Sequence, residues 1–208
     1  MLHKQTVEPG TLSLLKELML IPELSNFNLV GGTAISLKYG HRKSVDLDLF
    51  SSVKFDKSEL EQNLKTYFGE RFFYENAFSN WGIFCYIDNV KVDIVYYPHE
   101  LIEDIEIEEG IRMLSDKDLI AMKVQAVLGR GKKKDFWDIA ELLREYTIQN
   151  FIDYHKQKYS KQILGISIPT ALTYFTDADE SEEPETIKKQ SWNDIKKFIN
   201  KKVRDFLI

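Results

Sequence analysis

An intrachain disulfide is impossible for this chain, because a single cysteine, Cys85, stands among its 208 residues. It lies in the apolar string Ile83-Phe84-Cys85-Tyr86-Ile87, which reads as a buried core thiol and fits a reducing cytoplasm. Histidine is scarce too: the four present are far apart in sequence, which argues against a zinc site. No apolar run approaches the roughly 18–20 residues that span a bilayer, so no membrane role is expected. The opening MLHKQTVEPG lacks the apolar stretch of a signal peptide. An excess of basic charge is also missing. The net charge of −5 excludes a surface coated in cations.

That charge is unevenly spread. Residues 1–108 carry 10 Lys/Arg against 17 Asp/Glu, and residues 109–208 carry 18 against 16. Basic residues of the second half cluster in Arg130-Gly131-Lys132-Lys133-Lys134 and near the end, from Lys188 to Arg204. If a polyanion binds, the second half should supply the contacts; a solvated basic face is the plainer alternative. The stretch Asp177–Glu185 (DADESEEPE) reads as a solvated loop.

Periodicity divides the chain in the same place. Helical spacing runs over Leu12–Leu20, Thr33–Tyr39 and Ser58–Phe68, the last with Asp56 as N-cap. Strand patterns cover Asn28–Val30, Ser44–Phe50, Arg71–Ala77, Gly82–Ile87 and Val90–Tyr97, with Asp88-Asn89 as a hairpin turn. From Ser115, which begins a capping pattern, helices dominate: Leu119–Leu128, Lys134–Tyr146, Ile148–Tyr159 and Trp192–Phe206. The expected architecture is α+β: a mixed sheet with flanking helices at residues 1–110, then a helical lobe at 111–208.

Chemistry concentrates in one constellation. Gly31-Gly32 sits between a strand and a helix, where backbone N–H groups and the helix N-terminus can meet phosphate. Asp46-Leu47-Asp48-Leu49 follows, with thirteen residues between Gly32 and the first acid. Alternate residues of a strand share a face, so Asp46, Asp48 and Phe50 point one way and Val45, Leu47 and Leu49 the other. Ser44 falls on the carboxylate face as well. Adjacent carboxylates repel unless a cation lies between them, and magnesium takes such oxygens together with water and phosphate. Asp93, alone among the β-branched residues of Val92-Asp93-Ile94-Val95, offers the third acid that a second metal requires.

Basic partners follow. Lys123 interrupts the apolar run Leu119–Val124, and with Arg130 it can neutralise a triphosphate; snorkelling out of a buried helix is the competing reading. Asp135 and Asp138 share one helix side, either orienting basic residues of the cleft or pairing with Lys132 and Lys134. Arg42 can reach phosphate from the loop before the acidic strand, whereas His41 reads as an ordinary loop residue.

Gly31-Gly32, Asp46-x-Asp48 and Asp93 resemble the shared pattern of the polymerase-β nucleotidyltransferase superfamily. The fuller string Gly31-Gly32-Thr33-Ala34, then Gly40-His41-Arg42-x-Ser44-x-Asp46-Leu47-Asp48-Leu49-Phe50, is similar to the AbiEii-type nucleotidyltransferase toxins of bacterial toxin–antitoxin and phage-defence systems. A later block, Lys123-x-x-Ala126, Arg130 and Lys134-Asp135-x-x-Asp138, extends the likeness to about residue 140. The resemblance implies transfer of a nucleotide monophosphate from an NTP to an acceptor hydroxyl, with pyrophosphate released. Asp46, Asp48 and Asp93 would bind two magnesium ions (manganese being the alternative) and act in catalysis with Lys123. Gly31, Gly32, Thr33, Arg42, Ser44, Arg130, Lys134, Asp135 and Asp138 would bind the nucleotide. It further implies an RNA acceptor such as a tRNA 3′ end, and a cognate antitoxin as partner. The rival expectations are transfer onto a protein side chain, or a silent nucleotide-binding regulatory module.

Overall fold

A computed structural model describes residues 1–74 and 81–208. Helix α1 (Pro9–Leu20) opens with proline in its first turn and buries Leu14, Leu15, Leu18 and Met19. Strand β1 (Asn28–Val30) runs into α2 (Gly31–Tyr39), and β2 (Leu47–Ser51) alternates buried with half-buried residues. Asp56 caps α3 (Lys57–Phe68), its Oδ1 accepting from the Ser58 and Glu59 amides at 2.9 and 3.0 Å. Next come β3 (Phe72–Tyr74), β4 (Gly82–Ile87) and β5 (Val90–Tyr96). Asp88 and Asn89 both take positive φ, as a two-residue hairpin turn demands. The part of the expected Arg71–Ala77 strand beyond Tyr74 lies outside the described residues.

Two short strands, β6 (Glu106–Glu108) and β7 (Ile111–Met113), complete a sheet of order β3-β4-β5-β2-β1-β7-β6. β2 pairs in parallel with β5, and β1 with β7; the other neighbours are antiparallel. This is the α+β mixed sheet that the periodicity predicts. Its core face carries Leu47, Leu49, Val92, Ile94, Ile83 and Cys85, each at most 1% exposed. Burial pushes the Cys85 thiol up to about 12.

The strand read from Ser44 starts only at Leu47. Val30 pairs with Asp48, and the chain then leaves the sheet into α2, so residues 44–46 have no β1 partner and Val45 is 61% exposed. Val45 therefore does not share the buried face of Leu47 and Leu49.

Helices α4 (Asp116–Gly129), α5 (Lys133–Leu142) and α6 (Ile148–Lys158) follow. Two short helices, α7 (Ile168–Leu172) and α8 (Thr176–Asp179), precede α9 (Trp192–Leu207). Trp192, Ile195, Ile199 and Val203 recur at helical spacing and anchor α9, with Trp192 stacked on Trp137 at 5.4 Å between ring centroids. On the aqueous face of α9, Lys196 pairs with Asp179 of α8 and Lys201 with Asp205. Among the described residues no helix is long and apolar enough to cross a membrane.

Two buried polar contacts tie α6 to its neighbours. Lys158 and Asp118, both fully buried, lie 2.6 Å apart, and Asp118 also accepts from the Ile102 amide and the Ser115 hydroxyl. His155 Nε2 donates to Gln125 Oε1 at 2.9 Å, and burial pushes this imidazole down to about 4. Because the unfolded chain protonates His155 near 6.5 and the folded one does not, its stabilising contribution is complete above that value and declines as pH falls towards 4. The unfolding free-energy gap between the native protein and His155→Gln should therefore shrink from pH 7 to pH 4.5 in urea titrations. A gap independent of pH would show that the imidazole titrates normally.

Candidate active site

The register of two parallel strands builds the acidic centre. Asp48 of β2 stands directly beside Asp93 of β5, on the sheet face opposite the core. Burial raises the Asp48 carboxyl above its ordinary range, and the neighbouring Asp93 charge raises it further. Asp93 Oδ2 pairs with Lys91, while Asp93 Oδ1 is buried with no partner among the described residues. Asp46, just before the strand, is more open and lies 3.5 Å from Lys134 Nζ.

Gly31 closes on this centre from β1. It has φ +69°, and a Cβ there would stand 2.5 Å from Asp48 Oδ2. Only glycine meets both conditions. A Cβ on Gly32 would lie 2.1 Å from Arg42 Nη2, so the second glycine makes room for a guanidinium. Thr33 Oγ1 donates to the Asp46 carbonyl and lies 2.8 Å from Ser44 Oγ, fixing the chain that leads into β2.

A buried charge cluster forms the opposite wall. Asp138, inaccessible to solvent, accepts from Arg42 Nε at 2.7 Å and Nη2 at 2.9 Å, and from His41 Nε2 at 2.7 Å. Lys123 Nζ lies 2.7 Å from Asp138 and 2.9 Å from Asp135. Burial alone would raise the Asp138 carboxyl, but the Arg42 guanidinium and the Lys123 ammonium outweigh it and hold it well below the usual range. The same contest at Lys123 ends with its ammonium raised, burial opposing and Asp138 and Asp135 prevailing.

This geometry decides between the alternatives left by the sequence. Asp135 and Asp138 hold Lys123 and Arg42, while Lys134 turns to Asp46 and Lys133 to Glu183. Lys123 does not snorkel to solvent, since its side chain is 8% exposed. His41 is no loop bystander but a buried ligand of Asp138. Arg130 stands at the mouth, 58% exposed and 3.6 Å from Asp135.

Together these elements enclose a cleft of about 370 Å³. Gly31, Gly32, Arg42, Ser44, Asp46, Asp48, Asp93, Lys123, Arg130 and Lys134 all line it. Thr33, Asp135 and Asp138 stand behind the wall, and each bonds a residue that faces the cleft. Sequence reasoning missed Tyr97, Met122 and Gln125 on the wall, because nothing in their periodicity separates a cleft residue from a core one. It also missed residues 185–187. The Lys43 amide donates to the Glu185 carbonyl at 2.8 Å, the Ile187 amide donates to the His41 carbonyl at 3.0 Å, and Arg42 bridges to Thr186.

Among the described residues no three carboxylate, imidazole or thiolate side chains stand close enough to cage a metal unaided. An open acidic pair is what magnesium ordinarily uses, since it keeps waters and takes substrate phosphate oxygens to fill its octahedron. The unpartnered Asp93 Oδ1 and the raised Asp48 carboxyl suit such an ion.

Known proteins match this chain over nearly its full length. The family described as nucleotidyl transferase AbiEii toxin, type IV TA system, matches residues 13–206. An uncharacterised protein of Aquifex aeolicus is 32% identical over 189 residues, covering 88% of this chain and 89% of the relative. Among solved structures, JHP933 from Helicobacter pylori superposes with a TM-score of 0.56 at 18% identity, over 95% of this chain and 92% of its own. MenT4, a nucleotidyltransferase toxin from Mycobacterium tuberculosis, gives 0.52 at 14% identity, over 93% and 84%. The two structures share the fold, and the family match carries the assignment: this chain belongs to the AbiEii nucleotidyltransferase toxin family and is a nucleotidyltransferase.

Proposed function

We propose that the protein moves a nucleotide monophosphate from an NTP onto the 3′ hydroxyl of an RNA, such as a tRNA, with divalent metal help. The observation that carries this reading is the pairing of Asp48 with Asp93 across parallel strands, one carboxyl raised and the other with an oxygen that has no partner among the described residues. Such a pair is costly without a cation. Asp46, Asp48 and Asp93 would hold magnesium, or manganese in its place, which when bound neutralises developing phosphate charge and favours the attacking hydroxylate.

The remaining roles follow from position. The Gly31 and Gly32 amides open α2 towards the cleft and can take phosphate oxygens, helped by the helix dipole. Ser44, held by Thr33, adds a hydroxyl nearby. Arg42 and Lys123 are fixed donors whose charge Asp135 and Asp138 already balance, so they orient the phosphates more than they attract them. Arg130 and Lys134, at the open mouth, supply the attraction. The division of labour runs between residues 1–110, which carry the carboxylates, and residues 111–208, which carry the Lys123, Arg130 and Lys134 cations. β7 ties the second part into the sheet of the first. A cognate antitoxin and a cytoplasmic setting accompany this reading, on the strength of the family.

RNA is preferred as acceptor because Lys132 lies exposed beside the cleft mouth, next to Arg130 and Lys134. Its neighbour Lys133 is engaged by Glu183 and, through its amide, by the Ser181 hydroxyl.

Asp48→Asn should reduce transfer to background in assays with labelled NTPs, magnesium, and RNA and protein acceptors offered separately. The urea midpoint of that variant should stay the same or rise, because like-charge repulsion is relieved. Near-native turnover in the variant, or turnover insensitive to EDTA, would sink the metal reading; label on protein alone would replace RNA as acceptor. Lys132→Ala should weaken RNA use and lower its log–log salt slope by about 0.7 for a lost single-strand phosphate contact, with NTP binding unchanged. Equal loss of RNA and NTP affinity would instead place Lys132 in the nucleotide site.

A further inference from the structure

A second cavity, of about 680 Å³, adjoins the cleft and shares Tyr97 and Gln125 with it as a common wall. Beyond that wall it is bounded by His99, Tyr159 and the chain that follows α6. Its character differs from that of the cleft. A row of rings leads into it from the acidic strand: Phe50 to Tyr97 at 5.2 Å, Tyr97 to His99 at 4.5 Å, and His99 to Tyr159 at 4.9 Å between centroids. Phe50 lies two residues beyond Asp48 and on the same face, so the row starts at the reacting centre.

The one buried cation of this cavity has no charge to spare for a phosphate, and its unpaired charges, Glu100 and Lys161, stand exposed at the rim with opposite signs. Lys158 is spent on Asp118 at 2.6 Å and on the Glu100 carbonyl at 3.0 Å. The Tyr97 and Tyr159 hydroxyls satisfy each other. What remains is flat aromatic surface with amide groups: Gln125, Gln157 and Gln162 all line the space. Gln125 Oε1 accepts from His155 Nε2, and its amide nitrogen makes no hydrogen bond to a described residue. Rings with adaptable amides are what an unpaired nucleobase needs, for stacking on its face and hydrogen bonds at its edge.

Transfer between nucleotides requires two nucleosides, one on each side of the reacting phosphate. The cleft, with its carboxylates and basic wall, suits the triphosphate. We propose that the adjoining cavity seats the terminal nucleobase of the acceptor RNA, stacked on His99 with the largely buried Tyr159 at its edge. This assignment rests on the nucleotidyltransfer-to-RNA reading above.

The test uses the whole protein and the single substitution His99→Ala, at a half-buried ring outside the acidic centre. Expected is a rise of about 10-fold in KM for the RNA acceptor, the scale of losing one stacking partner, with KM for the NTP unchanged. His99→Phe should restore the native value, because a ring is needed and an imidazole is not. An RNA whose 3′-terminal residue lacks its base should be a poor acceptor for the native protein and no poorer for His99→Ala. Ser160→Trp, which narrows the cavity from its exposed rim, should reproduce the RNA effect should His99→Ala fail to fold. A rise confined to the NTP KM would assign the cavity to the donor base and overturn the proposal. Unchanged constants for both substrates would overturn it as well. If the native protein labels no RNA at all, the acceptor reading falls first and takes this subsite with it; labelled RNA with an indifferent His99→Ala sinks the subsite alone.

Discussion

The buried carboxylate of Asp138 is the contact on which the site depends. It draws His41 and Arg42 from the loop before β2, and Lys123 from α4, onto α5. An ion taken out of water costs several kcal/mol unless it is paired and hydrogen-bonded, so none of these side chains can leave without stranding the others. With Asp135 the cluster holds two carboxylates against an ammonium and a guanidinium. It is close to neutral as a whole, yet it presents donors to the cleft at fixed places. Because Arg42 is pinned there, the turn that faces it must be glycine at position 32. Because that turn leaves the sheet after Val30, β2 gains its β1 partner only from Asp48 onward. The wall and the acidic centre are thus one construction.

Much of the acidic centre was legible in the sequence, and for a definite reason. A strand repeats every two residues, so Asp46-x-Asp48 and the lone Asp93 announce a polar face without any knowledge of the partner strand. Adjacency of Asp48 and Asp93 was not legible, since it depends on the parallel register of β2 with β5 across 44 residues of chain. The helical partners of Lys123 stayed open for a similar reason: periodicity tells which face a residue is on, not what that face meets. β6 and β7 escaped notice because three residues each, with Glu and Arg among them, carry too little pattern. The short helix α8 inside the acidic stretch escaped for the same reason.

Charge is the other theme of the molecule. Its cations look abundant in the second half, but the structure spends many of them internally. Lys158 is consumed by Asp118, Lys188 by Glu141, Lys196 by Asp179 and Lys133 by Glu183. The acidic stretch is therefore more than solvated chain, for its Asp179 and Glu183 sit against basic partners. Lys132 has no ion pair among the described residues, and Arg130 and Lys134 hold theirs only at 3.6 and 3.5 Å, so three exchangeable cations stand at the cleft mouth beside Asp177, Glu180 and Glu182.

Residues 185–187 add a constraint of time. They pair with the backbone of His41, Arg42 and Lys43, and they lie more than 140 residues later in the chain. A ribosome making this protein releases the carboxylate strands early, but the loop that carries Arg42 lacks its last backbone partners until this segment emerges. α9 and its Trp192 come later still. A chain cut short before residue 185 would therefore carry the carboxylates without the backbone pairing that completes the wall.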